Sequence, residues 1–384
     1  MKIQRSVYRE DHEMFRSTVR RFLEREAVPR MAEWNQAGRV DRALWLKAGR
    51  EGLLCPALPG EYGGGDGDFG HAAVLAEEMA YLGLNGISFG MHSDIIAPYI
   101  FRLGSDEQKR RWLPGAASGE TMLAIAMTEP GTGSDLKGIR TTAVRVNDGD
   151  GDEYVINGAK TFISNALQCD LVIVVCKTDP TATGSKAMSL ILVEADRAGF
   201  RRGRKLDKVG QQAADTAELF FDDVRVPAGN LLGEEGKGMY ALMQELPQER
   251  FMIAVGAAAA YEATLQHTID YVKDRRAFGQ TVWDFQNTKF RLADLKAQCT
   301  AVRLMVDHYL AEHLRRRLTL EEAAIAKLFA TESLGSALDA MVQLHGGYGY
   351  MLEYPVARAF VDYRVNRIYG GTSEVQRELI SRKL

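Results

Sequence analysis

The sequence predicts an α+β protein built in three consecutive parts: helical, then β, then helical. In both flanks the apolar residues recur at spacings of three and four, while in the centre this period gives way to short Val/Ile/Thr-rich runs separated by turn residues. No helical pattern lies between the central runs, so there are no crossover helices. The sheet is therefore expected to be largely antiparallel, a barrel or sandwich rather than a dinucleotide-binding sheet.

The first part, residues 1–118, reads as amphipathic helices, clearest in MFRSTVRRFLEREAVP and HAAVLAEEMAYLG. Just before the second of these, GDGDFG (residues 65–70) spells a glycine pattern used by nucleotide loops. The preceding LLCPALPGEYG is not a strand, and Asp66 and Asp68 would face a pyrophosphate, so a flexible turn is expected. The second part, residues 119–231, carries the runs TTAVRV, EYVINGAKTFIS, LVIVV, LILVE and ELFFDDVRVP, broken by turn chemistry such as TDPTATGSKAM. Its acidic run around Asp148, Asp150 and Asp152 lacks the glycine and glutamate spacing of a calcium loop and is expected to be a strand-connecting turn. In the third part, residues 232–384, the helical period returns in three long stretches, which are expected to form an antiparallel bundle with room for an oligomer contact.

Composition narrows the function. With 46% hydrophobic and 26% charged residues, the chain is neither disordered nor membrane-inserted. A net charge of −3 gives no electrostatic reason to expect nucleic acid or an anionic membrane as a partner. The basic runs at 201–205 and 315–317 are short, as expected of solvated faces or a local phosphate contact. The longest apolar run, residues 251–261, is too short to cross a bilayer. The amino terminus has neither signal-peptide nor transit-peptide character, so a cytoplasmic protein is expected. Cys55, Cys169, Cys176 and Cys299 form no CxxC pair, and His308 and His313 are off the one-face spacing of HExxH. Buried thiols and no metal are expected.

Five turn-like motifs remain that packing alone does not explain: AMTEPGTGSD (126–135), KTFISN (160–165), RRAFGQTVWDFQ, QLHGGYGYMLEYP and RIYGGTSEVQR. Their glycines permit close backbone approach and their hydroxyls suit phosphates or a polar ring edge. In order and spacing they resemble the acyl-CoA dehydrogenase family over nearly the whole chain, most closely its long-chain members. The resemblance implies an α-helical amino-terminal domain, a middle β-barrel and a carboxy-terminal four-helix bundle. It further implies FAD between barrel and bundle, a homotetramer, an acyl-CoA substrate and an electron-transfer flavoprotein as electron acceptor.

Carried over by motif, Ile125, Met127, Thr128, Gly133 and Ser134 would contact the flavin, and Phe162 and Ser164 would line its ring. From a neighbouring subunit Arg275, Phe278 and Gln286 would hold the diphosphate and adenosine, with Gln343, Gly346 and Gly347 alongside. Thr372, Ser373 and Glu374 would close the site, while Ser134, Tyr240, Arg250, Gly370 and Gly371 would meet the substrate. Much of the family carries its catalytic glutamate just before the Gly-Thr-Ser of the fifth motif, where this chain has Gly370. In the family's other arrangement the glutamate lies on the first helix of the bundle, and ELPQER matches it, so Glu249 is the expected base.

The base would take the α-proton of a thioester while hydrogen bonds stabilise the enolate oxygen, with the β-hydride passing to the flavin. The resemblance implies donors from the base's own backbone N–H and a ribityl hydroxyl. Arg250 is expected to point toward the polar part of the substrate. Small residues Gly86, Gly90 and Ser93 in GISFGMHSDIIAPYI suggest space for a medium, long or branched acyl group, on CoA or on a carrier protein. Without the resemblance, Glu249 reads as an N-terminal helical carboxylate favoured by the macrodipole. Two other activities remain open on the same fold: a flavin monooxygenase or oxidase, and a silent acyl-CoA-binding subunit.

Overall fold

The computed structural model describes residues 5–147, 151–179 and 184–384. The acidic turn at Asp148 and Asp150 and the middle of TDPTATGSKAM lie outside them. The first part is six helices: α1 (Glu10–Glu26), α2 (Met31–Ala37), α3 (Arg42–Arg50), α4 (Phe69–Tyr81), α5 (Ala97–Leu103) and α6 (Asp106–Ser118). Their starts follow local chemistry. Glu10, Asp11 and Glu13 sit in the first turn of α1, where carboxylates complement the helix dipole. Ser105 caps α6 by accepting from the Gln108 N–H at 3.2 Å, and Gln108 Oε1 reaches back to the Ser105 N–H at 3.0 Å. The aspartates of GDGDFG are consumed locally: Asp68 caps α4 through the Gly70 N–H, and Asp66 accepts from the Gly60 N–H at 2.7 Å. That segment is a helix start, with no anion cradle.

The middle part holds β1 (Leu123–Ala126), β2 (Thr142–Asn147), β3 (Asp152–Ser164), β4 (Leu171–Lys177), β5 (Met188–Glu194), β6 (Phe200–Lys205), β7 (Thr216–Pro227) and β8 (Leu231–Leu232). They form one sheet in the order β6-β7-β3-β2-β4-β5-β8, with β1 parallel beside β4. The pairing is antiparallel as expected, apart from β1–β4 and a single parallel contact of β2 with β4. The expected barrel is corrected: the strand path is open, and β6 and β8 are its edges. The reason lies in those edges. β8 is only two residues long, and β6 is the basic run FRRGRK, whose charge discourages edge pairing. One face of the sheet packs as a single core of Val172, Val174, Ile191, Val193, Leu219, Phe221 and Tyr154. The other face, through Ile173, Val175, Leu190 and Leu192, packs on Ile96, Tyr99 and Ile100 of the amino-terminal part and on Leu242.

The third part is α7 (Gly238–Asp274), α8 (Gln286–Leu314), α9 (Leu320–His345), α10 (Pro355–Asp362) and α11 (Ser373–Ser381). Instead of four equal helices there are three long ones, with α10 and α11 packed on α9. Helix α7 is the axis: its alanines 257–260 are fully buried, which lets α9 and α4 approach closely in one core. All four cysteines are free and buried. No helix among the described residues is long and apolar enough to cross a membrane.

Candidate active site

Glu249 lies roughly three turns inside α7, not at its start. The macrodipole, whose effect fades within the first turn, therefore gives no account of it. Two residues earlier Pro247 lies inside the helix, removing one backbone donor from the turn that precedes Glu249. Glu249 Oε2 is buried and has no hydrogen-bond partner among the described residues. Burial pushes its pKa up, and the cations of Arg250 and Lys327 act in the opposite direction. An ionisable oxygen left unpaired in a dry place is costly for stability and useful to a base.

Facing it is the loop 369–371. Gly370 has φ +63°, a left-handed conformation that a residue with a Cβ adopts at a cost. A Cβ built there would lie 3.6 Å from Glu249 Oε1 and 2.6 Å from Ile253 Cδ1. A side chain at 370 would thus press on Ile253 and stand beside the Glu249 carboxylate. The Gly370 carbonyl accepts from Arg250 Nε and from Gln376 Nε2, both at 3.3 Å. The Gly371 carbonyl accepts from Gln376 Nε2 at 2.9 Å and from Lys327 Nζ, which also donates to the Tyr369 carbonyl at 2.7 Å. Arg250 is buried, and its Nε is anchored to this backbone. The expected donor from the base's own N–H is corrected. Inside α7 that N–H is committed to the helix, whereas the Gly370 N–H makes no hydrogen bond among the described residues.

Opposite α7, the segment Met91–Ile96 is a π-helical turn that runs into α5, a geometry often found at functional sites. Gln248 Nε2 ties it to α7 by donating to the Asp94 carbonyl at 2.6 Å. Of the three residues expected to leave room for an acyl group, Gly90 is the uncrowded glycine. An added Cβ there would meet nothing nearer than Asp94 Oδ2 at 3.6 Å, whereas one at Gly86 would press on Ala214 N at 3.0 Å. Ser93 is buried with an unpartnered hydroxyl, as is Tyr99, and both carboxylate oxygens of Asp94 are unpaired. Burial raises the Asp94 pKa to about 8, so this carboxyl is largely protonated at neutral pH.

The residues expected at a flavin ring gather at the junction of β1 and β3. Ile125, Met127 and Thr128 are half-buried at the end of β1, and Gly133 and Ser134 are exposed in the following loop. The buried Lys160 donates to the Met127 carbonyl and to Glu129 Oε1, each at 2.9 Å, and the Thr161 N–H donates to the Thr128 carbonyl at 2.9 Å. Glu129 also accepts from the N–H groups of Arg140 and Thr141, which fixes the loop. Between Lys160 and Ile163 the β3–β7 register slips, and Phe162 stands in that bulge at φ +59° and 68% exposed. A bulge that turns an aromatic side chain outward at a backbone cost is expected where that ring meets something else. Ser164 sits half-buried just beyond it, in register with Thr216.

A separate cavity of about 470 Å³ brings together Arg275, Gln343, Gly346 and Gly347 with Tyr271 and Tyr348. Its chemistry, a cation beside bare glycine backbone and tyrosine rings, suits a phosphorylated aromatic ligand. Neither glycine would meet any atom within 4 Å if it carried a Cβ, so the backbone is open to a guest. Phe278, 95% exposed at φ +52°, and the exposed Gln286 at the start of α8 belong to the same end of the bundle but do not line this cavity. Tyr240 is exposed in the first turn of α7. Thr372 caps α11 through the Val375 N–H, and the exposed Glu374 pairs with Arg377 at 3.4 Å. The buried Ser373 donates to Glu332 at 2.6 Å, a packing role rather than an open one.

Sequence reasoning missed Lys160, Glu129, Tyr99, Gln376 and Lys327. A lysine inside the apolar stretch AAIAKLFA was the available signal for the last, since a cation on a buried helix face needs partners. Metal spacing does occur at Asp11, His12 and His71. The Nδ1 atoms of both rings lie at the backbone N–H groups of Arg9 and Asp68, and His12 Nε2 lies 2.8 Å from Asp68 Oδ1, so the rings are engaged by the helix caps around them.

Comparisons with known proteins identify the family of this fold. Three family models match in succession: the acyl-CoA dehydrogenase N-terminal domain over residues 9–120, the middle domain over 124–224 and the C-terminal domain over 236–384. The mitochondrial long-chain specific acyl-CoA dehydrogenase of Sus scrofa is 49% identical over 99% of this chain and 88% of its own length. The crystal structure of an acyl-CoA dehydrogenase from Geobacillus kaustophilus superposes with a TM-score of 0.96 at 47% identity, covering 99% of both chains. An acyl-CoA dehydrogenase from Bacillus anthracis, solved complexed with FAD, gives a TM-score of 0.90 at 31% identity over 98% of this chain and 67% of that one. The chain belongs to the acyl-CoA dehydrogenase family.

Proposed function

We propose that the protein is an FAD-dependent dehydrogenase that converts a medium- to long-chain or branched acyl-CoA into its trans-2-enoyl thioester, with Glu249 as the base. The observation that carries this is the buried, unpartnered Oε2 of Glu249 beside the side-chain-free position 370. Glu249 takes the α-proton at a carboxylate oxygen whose basicity burial has raised. The Gly370 N–H is the available backbone donor for the thioester oxygen as charge develops on it. When bound, FAD supplies the acceptor for the β-hydride. The open Gly346–Gly347 backbone, the Arg275 cation and the outward Phe162 fit such a group, with Ile125, Met127, Thr128, Gly133, Ser134 and Ser164 at its ring and Thr372 and Glu374 closing the site.

The 49% identity to a long-chain specific relative supports the longer acyl groups, with Gly90 uncrowded at its Cβ position. The Arg275 cavity shares no residue with the flavin-ring cluster, and Phe278 is almost wholly bare, which supports a cofactor shared between copies in a homotetramer. Electrons would leave to an electron-transfer flavoprotein, and we place the enzyme in the cytoplasm, which fractionation checks. Anaerobic mixing of FAD-loaded protein with straight and branched acyl-CoAs, followed by flavin absorbance, tests the activity. Bleaching by some members is expected and ranks them; bleaching by none, with dithionite still effective, overturns the proposal.

A further inference from the structure

Lys327, on α9, is 1% exposed and lies among the buried alanines of that helix. Among the described residues it forms no salt bridge at bonding distance; its ammonium is spent on two backbone carbonyls, those of Tyr369 and Gly371. A buried lysine so placed carries a desolvation cost that needs a reason. The peptide bond supplies one. Because a peptide is planar and trans, holding the Tyr369 carbonyl directs the N–H of the same peptide, that of Gly370, to the opposite side. Arg250 and Gln376 hold the next carbonyl, so every carbonyl from 369 to 371 is fixed by a buried side chain. On its other side, Lys327 Cε lies 3.6 Å from the point where a Gly370 Cβ would be, and Glu249 Oε1 lies at the same distance from that point. The lysine and the glutamate thus flank one small space from two helices.

We propose that Lys327 is the positioning residue of this site: its ammonium fixes the peptide that presents the Gly370 N–H, and its charge keeps the Glu249 carboxylate ionised. The inference rests on Glu249 being the base. The other groups that face Glu249 are Arg250 on α7, Tyr99 on α5 and Tyr369 in the loop. Both tyrosines have raised pKa values, that of Tyr369 at about 12, and stay neutral over the working range, so Lys327 and Arg250 are the cations that oppose burial. Lys327 itself is lowered to about 8, by burial first and by Arg250 second, with Glu249 acting the other way.

The test compares wild type, Lys327→Gln and Lys327→Arg, each loaded with FAD, in anaerobic single-turnover reduction by one acyl-CoA across pH. Glu249→Gln is run first. Loss of reduction in it upholds the base on which the inference rests, and retained reduction overturns that reading together with the lysine's effect on Glu249. Removing the cation favours protonated Glu249, so the acid limb of K327Q moves upward by about one unit. The deficit is then about tenfold larger at the acid end than on the plateau. K327R keeps the wild-type acid limb. It also loses any alkaline limb near pH 8 that the titrating lysine gives wild type, because arginine stays charged. A K327Q deficit that is constant with pH overturns the proposal, since a purely structural lysine gives that result. If K327Q does not hold FAD, identical alkaline limbs in wild type and K327R overturn it instead.

Discussion

Gly370→Ala is the perturbation that most fully exposes the geometry of the site. Its cost has two parts that the structure separates. The first is backbone: at φ +63° an L-residue costs roughly 1–2 kcal/mol. Gly52, at φ +68° with nothing within 4 Å of an added Cβ, isolates this part, so Gly52→Ala measures it alone. The second is crowding: the new methyl lies 2.6 Å from Ile253 Cδ1, which must move, and 3.6 Å from Glu249 Oε1, the reacting atom's neighbour. Displacing a packed methyl adds about 1–2 kcal/mol. G370A is therefore expected to be destabilised by about 2–4 kcal/mol, clearly more than G52A, in urea unfolding followed by circular dichroism. Its flavin reduction should slow by about tenfold or more, because small displacements of a positioned base are expensive. Ile253→Val, which deletes the clashing Cδ1, should recover most of the crowding part in the double variant. A G370A protein no less stable than G52A and unchanged in flavin reduction would refute the placement of Glu249 beside position 370.

Two further outcomes follow from the same side chains. Glu249 has a folded pKa raised by burial, so the native state binds more protons than the unfolded chain once pH exceeds the unfolded carboxylate value. Wild type then loses stability as pH rises, and Glu249→Gln should melt roughly 1–3 °C higher at pH 8, with the gain fading toward pH 5 in calorimetry. Phe162→Ala removes a ring that is 68% exposed in a strained bulge, so the apoprotein should change by less than about 0.5 kcal/mol. FAD affinity should nevertheless fall by about tenfold or more in fluorescence titration, and an unchanged affinity would detach Phe162 from the cofactor.

The order helical, β, helical was legible because the flanks repeat apolar residues at three and four, while the centre carries short β-branched runs such as LVIVV between turn residues. The open sheet was not, because closure depends on edges, and FRRGRK carries its strand character only through pairing with β7. The proximity of Glu249 to position 370 was legible from ELPQER taken together with the missing side chain there. The surroundings of Glu249 were not. The cations at Arg250 and Lys327 reach the loop from two helices 77 residues apart in sequence, a distance at which no local pattern reports contact. The bulge at Phe162 was likewise hidden, since a register slip is a property of two strands, β3 and β7, and not of KTFISN alone.

The most direct test of the central claim is the single-turnover rate of flavin reduction in Glu249→Gln beside wild type, with the acyl-CoA that bleaches wild type fastest. The amide keeps shape and removes the proton acceptor. A folded, yellow variant that is slowed by about 10²-fold or more is the expected result. A yellow variant reduced at nearly the wild-type rate would contradict it and move the base elsewhere in the site.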